Sequence, residues 1–225
     1  MLSPFFINDK QLTLARFPLA QVNRSLQAWD SSDEYILNHI KNEQLISDNA
    51  RVIIFNDAFG ALATHFCSEE SVNKNINTYC VNDSYISSQG IAYNIEQNLL
   101  NGENITQLNS LSILPTDIDI ILFKIPKSKS LLIEQLIQIK NNVGQNTVFI
   151  AADRAKEIHS STLKLFEKYL GTTKTSLAFK KARLVFCQLD QQQKYKSPFP
   201  TVWPLPNKAL NRDFTISNHA NVYSR

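Results

Sequence analysis

The order of the apolar runs is the feature that most constrains this chain. Arg51 to Asn56, Ile76 to Val81, Ile105 to Leu108, Ile118 to Ile125 and Thr147 to Ala152 are short stretches rich in β-branched residues, and helical patterns alternate with them. A strand followed by a crossover helix returns the chain for a parallel neighbour, so the alternation requires a parallel sheet with helices on both faces. The pattern changes at its end. Thr173 to Phe179 (TKTSLAF) and Leu184 to Leu189 (LVFCQL) are separated only by a basic turn, KKAR, which is too short for a crossover. Those two strands pair antiparallel, and five strand–helix repeats therefore close in a hairpin.

Helix boundaries follow from caps and spacing. Ser31-Ser32-Asp33-Glu34 has the form of a capping box, with Tyr35, Ile36, His39 and Ile40 following at helical intervals, so a helix precedes the first of these strands. Asp57 is placed to cap a helix running to about Cys67, and Asp83-Ser84 to open one reaching Leu100, where Asn101-Gly102 stops it. Leu132, Leu136, Ile139 and Val143 mark an amphipathic helix closed by Gly144; Ile158, Leu165, Phe166, Tyr169 and Leu170 mark another, stopped at Gly171. Pro126 ends the strand before it. The residues before Ser31 read as irregular. The proline-rich tail from Gln191, with β-like pieces at Thr201 to Trp203 and Phe214 to Ile216, reads as a connector, giving a domain over residues 1–190 and a connector over 191–225. The closing hairpin separates this plan from a dinucleotide-binding sheet. It specifies an α/β fold with the seven-stranded, mostly parallel, Rossmann-like sheet of S-adenosylmethionine-dependent methyltransferases, in which ligands bind beyond the carboxyl ends of the strands at the switch point.

Composition narrows the function. Across 225 residues no uninterrupted apolar run approaches the ~20 residues of a membrane span, and MLSPFFINDK has no signal-peptide form, so a cytoplasmic location without membrane attachment is expected. Cys67, Cys80 and Cys187 are widely spaced, with no C-x-x-C and no histidine pair nearby, which argues for buried thiols rather than a disulfide framework or a metal site. His39, His65, His159 and His219 are scattered and read as non-catalytic. Glycine is scarce: 5 residues, where average usage of about 7% gives roughly 16. A chain that cradles a nucleoside with glycine turns is not this poor in them.

The chemistry of the fold is correspondingly incomplete. An adenosyl cofactor needs bare backbone after the first strand of the repeat, yet VIIFNDAFGALA (Val52 to Ala63) has one glycine, Gly60, and puts the side chains of Asn56, Asp57, Ala58 and Phe59 where backbone belongs. Ala58 and Phe59 are expected to fill the nucleoside's space, and Gly60 to be a packing residue. Asp83 stands about 20 residues after Gly60, where an acid takes ribose hydroxyls. Capping accounts for both Asp83 and Asp57 without a ligand and is favoured. At the end of the fourth strand, an amine-methylating site needs a side-chain acceptor, prolines and a stacking ring, whereas the sequence is Phe123-Lys124-Ile125-Pro126-Lys127. Lysine accepts no hydrogen bond. No catalytic residue is assigned. Two basic clusters, Lys124, Lys127 and Lys129 at that strand and Lys180, Lys181 and Arg183 at the hairpin turn, point to RNA phosphates or to a solvated rim. Phe179 beside the second cluster is either a stacking ring or a core residue.

The residues themselves carry a resemblance. Leu26 to Leu37, Ile53 to Ala63, Asn82 to Ser87, Lys124 to Ser128, Ile158 to Gly171, Leu177 to Leu184 and Ser217 to Arg225 closely resemble, in order, the N-terminal half of the RlmG/RsmC family of ribosomal RNA guanine-N2 methyltransferases, in its 23S rRNA branch. The resemblance implies two tandem methyltransferase-like domains. The second binds S-adenosylmethionine and carries an Asn-Pro-Pro-Phe active site; the first is a degenerate copy that helps to hold RNA and supports its partner. No Asn-Pro-Pro occurs before Arg225, so a piece of a longer protein is expected. S-adenosylmethionine is then the cofactor of the full-length protein with none bound here, and the partners are 23S rRNA and the chain's own C-terminal domain. A self-sufficient methyltransferase with an atypical turn and a purely structural domain are the competing readings.

Overall fold

The computed structural model describes residues 3–20, 26–70, 75–190, 193–207 and 212–222. Part of the expected polar spacer (71–74), the head of the expected connector (191–192) and the last three residues lie outside the described residues. A seven-stranded sheet forms the centre. Its strands are β3 (Arg51–Phe55), β4 (Asn77–Val81), β5 (Ile105–Leu108), β6 (Ile120–Lys124), β7 (Val148–Arg154), β8 (Thr173–Thr175) and β9 (Ala182–Cys187), in the spatial order β5-β4-β3-β6-β7-β9-β8. The first five are parallel, and β9 pairs antiparallel with both β7 and β8, as the closing hairpin requires. The order reverses between β3 and β6, so the switch-point crevice lies beyond Phe55 and Lys124.

Strand periodicity explains the layers. Val52 and Ile54 of β3 face one apolar cluster, while Ile53 and Phe55 face the other. Helices α1 (Ser31–Asn42), α2 (Ala61–Glu70) and α3 (Tyr85–Gln97) bury Ile36, Leu37, Leu62, Phe66 and Ile91 on the first face. Helices α4 (Lys129–Asn142) and α5 (Ser160–Tyr169) bury Leu136, Ile139, Phe166 and Tyr169 on the second. There Phe123 packs on Phe55, Phe149 and Phe166 with ring centroids 5.3, 5.8 and 6.0 Å away. Each of these rings has under 3% exposure, and full burial of such a side chain stabilises by about 1.5–3 kcal/mol. All three cysteines are buried, and none forms a disulfide among the described residues.

Four expectations change. The start is not irregular: β1 (Ser3–Ile7) and β2 (Lys10–Leu14) form a hairpin whose alternate residues Phe5, Ile7, Leu12 and Leu14 bury against the first helical layer. Asn8 and Asp9, with φ of 52° and 65°, make its two-residue turn. The crossover from β5 to β6 has no helix, because Asn109 and Ser112 close turns on Leu111 and Asn109 instead. Asp30, not Ser31, is the N-cap of α1, paired reciprocally with Asp33 in the capping box. Finally, the two β-like pieces of the tail form their own hairpin, β10 (Thr201–Asn207) with β11 (Arg212–Asn218).

Candidate functional site

The turn after β3 is built by its side chains. Asn56 takes the left-handed conformation, φ 60°, which asparagine tolerates. Its amide spans the switch point: Nδ2 donates to the Lys124 carbonyl at 2.9 Å and to Gln135 Oε1 at 2.9 Å, while Gln135 Nε2 donates back to Asn56 Oδ1 at 2.9 Å. Asp57 is 2% exposed and accepts from the Gly60 and Ala63 amides at 3.1 and 2.9 Å, so it caps α2 from three residues before the N-cap. Burial, aided by the nearby Asp33 charge, pushes its carboxyl up to about 6.

Gly60 serves packing. Its φ is +86°, and a Cβ there would lie 2.9 Å from the Ile91 Cα, so α3 runs directly against the turn. The same helix secures an arm from the N-terminal hairpin. Asn94 accepts from the Ala15 amide at 2.8 Å and donates to the Ala15 and Phe59 carbonyls at 2.9 and 2.7 Å. Arg16 then lies over the Phe59 ring, 4.7 Å from its centroid. Phe59 is half-buried beneath its own chain, whereas Ala58 is exposed at the mouth of the crevice.

Asp83 follows neither expected role. Ser84 caps α3 by accepting from the Ser87 amide, and Asp83 Oδ1 instead accepts from Ser110 at 2.8 Å, tying the end of β4 to the loop after β5. Its Oδ2 is shut away from solvent, so no carboxylate edge is presented to a ribose. The open remainder of the crevice is a recess of about 400 Å³ lined by Arg16, Trp29, Asp33, Asp57, Phe59 and Lys124 among others. These residues do not fit an adenosyl group at a glycine-rich turn: the one glycine is pressed on α3, the acid is engaged elsewhere, and the polar floor is already paired.

Lys124 makes most of that floor. Its Nζ donates to Asp33 at 2.5 Å, Ser32 Oγ at 2.5 Å and Asp30 at 3.0 Å, using all three protons of the ammonium. The Lys124 and Asp33 side chains are only 15% and 7% exposed. Burial opposes the Lys124 charge, but the two carboxylates outweigh it and raise the group above its ordinary value. For Asp33 the balance reverses, with burial as the main cause and Asp30 repelling, and its carboxyl lies above the usual range. Burial also opposes ionisation of Asp30, yet Lys124 and the Ser32 bonds bring it down to about 2. Lys124 is thus withdrawn from the expected RNA surface, because the first turn of α1 neutralises it inside the fold.

The other basic residues divide. Lys127 and Lys129 are exposed and line a groove of about 590 Å³ with Arg154, Asp153, Glu157 and the start of α5. Lys180 bonds Glu34 at 2.7 Å, again on the first turn of α1. Lys180 and Lys181 form the β-turn with φ of 46° and 67°, leaving Lys181 exposed. Arg183 on β9 stands opposite Asp153 of β7 and is half-buried, with its Nε shut from solvent. Phe179 is 43% exposed against Tyr35, neither core nor free ring. Asp30, Asp33 and Glu34 are partners of both lysine clusters that the sequence did not lead us to expect. Their spacing of three and four along α1 was the available signal.

Sheet order, closing hairpin and switch-point position define a methyltransferase-like α/β domain in whose crevice Lys124 is paired with the acids of α1. Comparison with known proteins agrees. Residues 3–191 match the RLMG N-terminal domain family, and the chain belongs to it. It is 66% identical to the ribosomal RNA large subunit methyltransferase G of Colwellia psychrerythraea, over 100% of this chain and 58% of that protein, and 45% identical to that of Pseudoalteromonas translucida, over 97% and 54%. The chain spans somewhat over half the length of these relatives. Among solved structures it superposes on the T. thermophilus 16S rRNA N2 methyltransferase RsmC, in complex with AdoMet and guanosine, with TM-score 0.61 and 15% identity over 84% of this chain and 50% of that one. The precorrin 8W decarboxylase of Methanobacterium thermoautotrophicum gives 0.55 at 12% identity over 73% and 94%. These two likenesses establish the fold.

Proposed function

We propose that this chain is the non-catalytic, RNA-docking and scaffolding half of an S-adenosylmethionine-dependent 23S rRNA guanine-N2 methyltransferase that acts in the cytoplasm. The observation that carries the reading is Lys124. An amine-methylating site needs acceptors converging at the end of this strand, and here an ammonium with every proton engaged stands in their place. Cofactor binding and methyl transfer then belong to the rest of the protein, whose relatives bear the methyltransferase name. In this reading, RNA phosphates meet the strand-end rim at Lys127, Lys129 and Lys181, with Arg154 in the groove between the two clusters.

A purely structural role has one observation in its favour: Lys124 and Lys180, the leading members of the two clusters, are both paired with acids of α1. The two readings separate by salt dependence. Each phosphate contact to single-stranded RNA contributes about 0.7 to the slope of log affinity against log salt, so changing Lys127, Lys129 and Lys181 to Ala is expected to lower the slope by about 2. Anisotropy with a short single-stranded rRNA segment measures this. An unchanged slope and affinity would leave only the scaffold.

A further inference from the structure

The tail hairpin is built to be covered. Strands Thr201–Asn207 and Arg212–Asn218 form a two-stranded sheet that no other described strand extends, and such a ribbon alone is at best marginally stable in water. Its register sets Trp203 opposite Ile216 and Leu205 opposite Phe214, so alternation on both strands gathers these four side chains on one face. Trp203, Leu205 and Ile216 are 54%, 50% and 45% exposed. An aromatic and two aliphatic side chains adjoining at half exposure are the apolar centre that protein interfaces bury.

Three observations select the occupant. The hairpin lies past residue 191, where the match to the N-terminal domain family stops, but within the stretch shared with longer relatives, of which that stretch makes up only 58% and 54%. It therefore stands between the domain and the remainder of the protein. The four central residues of the face are uncharged, with Arg212 only at its end opposite Asn207, which suits an apolar protein surface better than a phosphate backbone. Pro204 and Pro206 remove two amide donors from β10, which disfavours a partner strand adding along that edge and leaves the face as the contact.

We infer that the Trp203, Leu205, Phe214 and Ile216 face is the seat of the protein's remaining, C-terminal half, and that it couples the stability of the two halves. This rests on the proposed two-domain reading. The test uses the full-length protein with Trp203→Asp and Ile216→Asp combined, Trp203→Ala as a milder variant, and Val202→Asp, on the opposite face, as control. Calorimetry and limited proteolysis read the outcome. Both interface variants are expected to separate the unfolding of the two halves and to raise cleavage within residues 190–225 at least tenfold, while the 3–191 half keeps its transition and Val202→Asp behaves as the parent. Parental unfolding and cleavage in the double variant overturn the inference. So does a dimer that dissociates in light scattering, which identifies a second copy as the occupant, or a loss of RNA affinity with coupled unfolding intact. Failure of the underlying reading has a different signature: the unaltered full-length protein would take up no S-adenosylmethionine.

Discussion

Substituting Lys124→Met tests whether the ammonium holds the crevice together. The variant keeps the length of the side chain and removes the charge that faces Asp33 at 2.5 Å and Asp30 at 3.0 Å. Asp33, with a side chain 7% exposed, is left beside a like charge with no cation. Breaking a buried pair from one side costs about 3–5 kcal/mol, which at about 2–4 °C per kcal/mol lowers the melting temperature of a chain this size by about 6–20 °C. Adding Asp33→Asn removes the orphaned charge and recovers most of the loss, because an ion pair replaced on both sides is close to neutral. Proton uptake by Asp33 gives the single variant a smaller deficit at pH 5 than at pH 7.5. Urea denaturation followed by circular dichroism at both pH values measures all three quantities. A single variant costing under about 1 kcal/mol, or a double variant as unstable as the single, would refute the reasoning.

Other consequences follow from the same turn. The folded state holds the Asp57 proton up to about pH 6 against 3.8 in the unfolded chain, so this group's contribution is greatest below about pH 4 and is lost as pH rises through 6. That difference is worth about 3 kcal/mol. The stability of the parent relative to Asp57→Asn should fall by that amount between pH 4 and pH 7, and denaturation curves that stay parallel would contradict it. Gly60→Ala places a Cβ 2.9 Å from the Ile91 backbone at φ +86° and should destabilise by about 1–3 kcal/mol in urea. A neutral result would mean α3 is not tightly seated.

Legibility in the sequence followed the range of the interactions. The central strands and the antiparallel closing pair could be read because Val52 to Phe55 and Ile120 to Phe123 are continuous apolar runs and the KKAR turn is too short for a crossover. The N-terminal hairpin could not, because Phe5, Ile7, Leu12 and Leu14 alternate over only two short strands around an Asn-Asp turn, and their cover is the distant α1 to α3 layer. The crevice was half legible. One glycine and a lysine at strand six signalled that the cofactor chemistry was missing. What replaced it depended on contacts 35 to 94 residues apart in the chain, such as Asn94 with Phe59 and Lys124 with Asp30, which no local pattern reveals. Asp83 misled for a related reason: a carboxylate before a helix looks like a cap, and only the fold brings Ser110 within 2.8 Å to claim it.

Calorimetric titration of residues 1–225 with S-adenosylmethionine, beside the full-length protein under the same conditions, tests the central claim most directly. The full-length protein should bind one equivalent, while this chain, with Asn56, Phe59 and Lys124 engaged across the crevice, should give no saturable heat. Saturable micromolar binding by residues 1–225 would contradict the account.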